Sequence, residues 1–257
     1  MMNTYNPFKI LFIALAHSIL TIGALKAQSI GVQMCMDHWG NVYRWDENSL
    51  EKYDPVQNLF FRNGNLSFGE ISKIDLIQPQ KPFVFFEETQ RIVFLDNTLS
   101  EQGDYLSLQT LIPQSWITQV SGSILGGFWC FDHMNLRIIR IDPLGNIMFS
   151  VDNLPQFNPL SDWDAIGMTE HKNSLFVWDH QNLFEFDLLG ALSNQYTSEN
   201  GQYLFDQGKI YEWKDQYLKL ISPVQKLFKN KTTLFHFCIS NDFIFSWDKA
   251  IIETSLE

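Results

Sequence analysis

Asn41-Val-Tyr-Arg-Trp45, followed by Leu50-Glu-Lys-Tyr53 and Pro55-Val-Gln-Asn-Leu-Phe60, returns later in the chain as Lys209-Ile-Tyr-Glu-Trp213, Tyr217-Leu-Lys-Leu-Ile221 and Pro223-Val-Gln-Lys-Leu-Phe228. Each copy is preceded by one more short strand-like run, Gly31-Val-Gln-Met-Cys-Met-Asp37 in the first and Gln202-Tyr-Leu-Phe-Asp206 in the second. Apolar runs of four to six residues, broken by Asp, Asn, Gly and Pro, read as strands separated by turns. Four such runs matching in order mark a repeated structural unit.

The middle hairpin of this unit recurs between and beyond the two copies. Its first strand ends on an aromatic residue at Trp45, Phe86, Phe131, Trp178, Trp213 and Trp247, at intervals of 34 to 47 residues. The next residue is Asp46, Glu87, Asp132, Asp179, Lys214 or Asp248. Self-similarity at this period, with several strands per unit, specifies a repeat architecture of small sheets stacked about an axis. The fold class is therefore all-β: a β-propeller of about six short blades, with five or seven also compatible. The last unit is one strand short in the sequence. Aromatics form 15% of the chain, which suits an apolar layer between adjacent sheets. The acidic residue after each aromatic has a structural reading: its carboxylate accepts backbone N–H groups and holds the turn.

The first residues read as a targeting segment. Lys9 precedes the apolar run Ile10 to Leu25, and Leu25-Lys-Ala-Gln28 places a small residue at a cleavage position. The run is too short to span a bilayer. The expected organisation is a signal peptide over 1–27 and a single propeller domain over 28–257. Cleavage removes Lys9 and Lys26 and no acid, so the net charge moves from −11 to −13. That charge and the lack of a Lys/Arg cluster exclude nucleic-acid binding. Three cysteines cannot make a disulfide framework. Cys35 and Cys238 occupy equivalent places in the first and last units, so they become neighbours if the ring closes. They are read either as a pair or as small buried residues.

The run Asp37-His-Trp-Gly-Asn-Val-Tyr43 resembles the Asp-x-x-Gly-Asn-x-Tyr pattern of secreted bacterial propellers. The stretch Ile71 to Glu101 and the ending Leu-Lys-Ala-Gln28 are similar to exported β-propeller-like proteins of the Bacteroidota. The Gly-His element of WD-type blades is absent. The resemblance brings no catalytic residues with it. It implies an envelope protein, periplasmic or associated with the outer membrane, serving outer-membrane assembly or secretion.

On this reading the chain is a non-catalytic protein-interaction module with a protein partner in the cell envelope, and no motif asks for a metal or cofactor. The candidate contacts are loop residues: His38, Trp39, His133, Trp163, Asp164, His171 and His180. Trp39 and Trp163 are expected to be exposed, as residue types that anchor interfaces. One alternative is a metal-dependent lactonase- or hydrolase-type propeller, drawing on Glu70, Asp164, Glu170 and Asp206 near the axis. These positions do not repeat from unit to unit. The other is a carbohydrate-binding surface using Trp39, Trp116 and Trp129.

Overall fold

The computed structural model describes residues 33–46, 49–55, 58–64, 66–197, 202–206, 209–214, 217–222, 226–229, 237–240, 243–247 and 251–255. The expected signal peptide falls outside them, as do the side chains of Asp206, Trp213, Cys238 and Trp247.

The chain forms a six-bladed β-propeller of antiparallel meanders. Blade 1 comprises β1 (Gln33–Met36), β2 (Val42–Trp45), β3 (Leu50–Tyr53) and β4 (Leu59–Asn63); blade 2 comprises β5 (Lys73–Asp75), β6 (Phe83–Phe86), β7 (Arg91–Phe94) and β8 (Leu106–Ser107). Blade 3 follows with β9 (Ile117–Gly122), β10 (Phe128–Asp132), β11 (Arg137–Ile141) and β12 (Ile147–Val151), and blade 4 with β13 (Gly167–His171), β14 (Ser174–Trp178), β15 (Asn182–Asp187) and β16 (Leu192–Thr197). Blade 5 has β17 (Gln202–Asp206), β18 (Lys209–Lys214), β19 (Tyr217–Ser222) and β20 (Lys226–Lys229). Among the described residues blade 6 has three strands, β21 (Phe237–Ser240), β22 (Phe243–Trp247) and β23 (Ile251–Ser255). The inner strand β1 lies against β21, which brings the first and last blades together.

Packing between blades explains the sequence pattern. The second strands of blades 2, 3 and 4 are covered on both sides, so they read as continuous apolar runs rather than alternations. In Phe83–Phe86 all four side chains are buried. Val84 and Phe86 face a core shared with Tyr43, Trp45 and Leu50 of blade 1. Phe83 and Phe85 face one shared with Phe128, Cys130 and Ile139 of blade 3. Trp129 and Phe131 then face Leu175, Val177 and Phe184 of blade 4, and Trp178 packs on Tyr203 and Phe205 of blade 5, with ring centroids 5.8 and 5.7 Å apart. At Trp45, Phe86, Phe131 and Trp178 the recurring aromatic is thus the wedge between neighbouring sheets. Fully burying each such side chain contributes about 1.5–3 kcal/mol.

The acid after the aromatic holds the turn. Oδ1 of Asp179 accepts the backbone N–H groups of Gln181 at 2.7 Å and Asn182 at 2.6 Å. Asp132 accepts Trp116 N–H at 3.2 Å, Asn135 Nδ2 at 2.8 Å and Arg137 Nε at 2.9 Å.

Candidate functional site

Strand polarity sorts the loops onto two faces. Turns from first to second strand and from third to fourth strand share one face; the remaining connections share the other. On the first face one turn design recurs, in which an Asp carboxylate accepts backbone N–H groups two and four residues ahead. Asp37 holds Trp39 and Asn41 at 2.9 Å each. Asp142 holds Leu144 and Asn146 at 2.8 Å each. Asp187 holds Leu189 at 2.9 Å and Ala191 at 2.8 Å. Asp96 does the same for Thr98 and Ser100. The residue three after the Asp takes a positive φ: 84° at Gly40, 86° at Gly145, 88° at Gly190 and 65° at Leu99. Glycine adopts that conformation without strain, and the paired carboxylate bonds hold the turn so that its tip projects. In blades 3 and 4 a β-bulge precedes the turn, adding local twist.

The tips in blades 3 and 4 are apolar. Leu144 is 86% and Leu189 84% exposed, and Ile124 and Leu125, on the loop between β9 and β10, are 58% and 70% exposed. That loop is fixed from behind. Glu170 accepts Ile124 N–H at 2.8 Å. Arg140, buried beneath it, donates to the carbonyls of Phe128, Ile141 and Gly126. Burial lowers the Arg140 pKa, against the opposing pull of Glu170 and Asp142. Between blades 2 and 3 the same face opens into a cleft of about 340 Å³, walled by Phe83, Phe94 and Phe128, with Asp75 in its lining and Leu144 at its mouth.

The axis is lined by polar groups of the inner strands. Lys73 donates from β5 to the carbonyls of Val120 at 2.6 Å and of Met168, tying blade 2 to blades 3 and 4. Lys73 is half-buried, with its ammonium held by those two carbonyls. Burial lowers its pKa, while Asp75 and Cys35 oppose that shift. Ser121 Oγ accepts Glu170 N–H at 2.8 Å, and Gln119 donates to Ala165 carbonyl at 3.3 Å.

The sequence candidates divide between the faces. His38 and Trp39 share an exposed turn on the first face, with ring centroids 4.2 Å apart; His171, half-buried at the end of β13, lies on the same side and packs on Phe205 at 5.8 Å. On the opposite face His133 Nδ1 lies 3.9 Å from Asp164 Oδ1, both exposed, and His180 is exposed in the β14–β15 turn. Glu87 is nearby. Burial raises its pKa, partly offset by a hydrogen bond from Trp116 and by His133.

Trp163 corrects the expectation of exposure. It is 1% exposed, stacked on Phe184 at 4.1 Å, and donates from Nε1 to Asn158 carbonyl at 3.1 Å. Trp129 is wholly buried as well. Of the acids considered for a metal, Glu70 is an exposed loop residue. Glu170 spends one oxygen on Ile124 and the other on Trp129 Nε1, at 2.6 Å. Among the described residues no group of three or more His, Cys, Asp and Glu is placed to hold a metal ion. No described helix is long and apolar enough to cross a membrane. The sequence missed the cleft, whose walls come from separate blades, and the polar axial belt.

No family model matches the chain, and no curated protein matches its sequence. Solved structures do match its fold. A streptogramin B lyase superposes with a TM-score of 0.60 at 12% identity, covering 91% of this chain and 85% of the lyase. A catalytically inactive virginiamycin B lyase from Staphylococcus aureus, solved with quinupristin, gives 0.58 at 11% identity, with 88% and 79% covered. The Pan2 WD40 domain of Neurospora crassa gives 0.58 at 8%, with 90% and 77% covered. At these identities the likeness is one of fold.

Proposed function

We propose that this chain is a non-catalytic, extracytoplasmic β-propeller that acts as a protein-interaction module in the cell envelope, in association with outer-membrane assembly or secretion machinery. The observation that carries the reading is the first face. Leu125, Leu144 and Leu189 stand exposed on turns that Asp carboxylates and buried Glu170 and Arg140 hold in place. Apolar tips on a rigid frame bind with little loss of conformational entropy. The leader-like segment and the sequence resemblance to exported Bacteroidota propellers support the envelope setting. His38, Trp39 and His171 are proposed contacts on this face; His133, Asp164 and His180 belong to the other.

Affinity capture of the full-length protein from its native membranes, in wild-type form and as the Leu125→Asp/Leu144→Asp double variant, tests this. A stoichiometric partner recovered by the wild type and reduced about 100-fold with the variant supports the reading, since each leucine removed from an apolar contact costs about 1.5–3 kcal/mol. Recovery of no stoichiometric protein, or equal recovery by both forms, overturns it. Export is tested by the mass of the protein purified from cell fractions, which should begin at Gln28.

A further inference from the structure

We infer that the cleft between blades 2 and 3 is a binding site for an organic cation, an ammonium group carried on an apolar body. The inference does not depend on the rim's being a protein-docking surface, and its test uses no partner. Three phenyl rings wall the cleft. Phe83 lies 6.0 Å from Phe94 at 67° and 6.5 Å from Phe128 at 60°, so the rings meet at steep angles and form corners rather than a stack. Aromatic walls of this kind attract a cation through their ring quadrupoles and solvate its carbon body.

The cleft also holds a carboxylate with unspent capacity. Asp75 is only 6% exposed. Its Oδ1 accepts Ile77 N–H at 3.1 Å and its Oδ2 accepts Gly122 N–H at 2.8 Å. Two carboxylate oxygens accept about four hydrogen bonds, so lone pairs remain. Among the described residues Asp75 is in no ion pair. Lys73, two residues earlier on the same strand, directs its ammonium to the carbonyls of Val120 and Met168 instead. The more open charges of the lining, Lys81 and Asp142, oppose each other. Within the lining the charge left over is negative, offset from behind by Lys73, and the whole chain is acidic.

The backbone makes room for this carboxylate. A Cβ at Gly122 would lie 2.5 Å from Asp75 Oδ1, so only glycine at this position leaves the carboxylate where it is. The cavity of about 340 Å³ is of small-ligand size.

The test is titration of the full-length protein with phenethylammonium and with its neutral counterpart 2-phenylethanol, following backbone amide shifts of Gly122, Gly126 and Gly127 by NMR. The expected result is saturable shifts at these glycines, with the cation bound about tenfold more tightly than the alcohol. Asp75→Asn should abolish the preference, and Phe94→Leu should weaken the cation several-fold while leaving the spectrum of blades 4 to 6 unchanged. A blocked Gly-Gly-Lys-Gly-Gly peptide separates the sources: tighter binding than phenethylammonium points to a lysine side chain of another protein, weaker binding to a free amine. Equal affinity for cation and alcohol, or no shift at these glycines, overturns the inference. Should Asp75→Asn fail to fold, the cation–alcohol comparison on the wild type and the Phe94→Leu titration still decide it.

Discussion

Glu170, on the innermost strand of blade 4, accepts the indole N–H of Trp129 of blade 3 at 2.6 Å. Its other oxygen accepts the backbone N–H of Ile124. One buried carboxylate thus ties two blades together and fixes the loop that carries Ile124 and Leu125. In Glu170→Gln an amide group must face one of these two donors. The expected cost is about 2–3 kcal/mol, read as a lower urea midpoint with an unchanged slope. Faster amide hydrogen exchange over residues 123–127 would separate this from a general loss of stability.

Lys73 gives a pH signature. Burial lowers its pKa from the ordinary value of 10.5. Below the folded-state pKa both states carry the proton, and folding bears the whole cost of burying the charge. As pH rises toward 10.5 the folded chain sheds the proton while the unfolded chain keeps it, and the cost falls. Wild type should therefore gain stability relative to Lys73→Met as pH is raised from 7 toward that value. Paired denaturation curves measure it; a difference constant across the range refutes it.

Asp132 behaves in the opposite sense. Burial works to raise its pKa, but hydrogen bonds from Ser115, Asn135, Arg137 and Trp116 outweigh it and hold the carboxyl below the ordinary 3.8. The stability it contributes is present above pH 3.8 and lost as pH falls through the depressed value. Asp132→Asn should cost about 2–3 kcal/mol at pH 7 and lose less on acidification than wild type, as followed by thermal unfolding at pH 7 and at pH 3.

Two tryptophans make a controlled pair. Trp163→Ala removes a buried ring stacked on Phe184 and should cost about 3–5 kcal/mol. Trp39→Ala changes a turn tip that is 48% exposed and should stay within about 0.5 kcal/mol. Calorimetric melting of both variants checks the contrast.

The second strands of blades 2, 3 and 4 were legible because both of their faces are buried; Phe83–Phe86 cannot be read as anything but a covered strand. The inner strands β5, β9 and β13 were not, because they serve the axis. Lys73, Gln119 and Ser121 spend their polar groups on the backbone of the next blade, which erases the apolar pattern. Trp163 was misread because Ser161, Asp162 and Asp164 surround it with polar sequence. Its φ of 53° accompanies a turn that places the ring in the core. The cleft was invisible for a geometric reason: Asp75 and Phe128 meet only because blades 2 and 3 are neighbours in the ring.

In the Asp-led turns the labour is divided by position. The carboxylate and the residue with positive φ do the folding, while the second residue of each turn, Trp39, Leu144 or Leu189, takes little part in the core. Such a scaffold separates what must be kept from what is free to vary. Its surface can be rewritten one tip at a time, by selection or by an engineer, with the ring beneath left untouched.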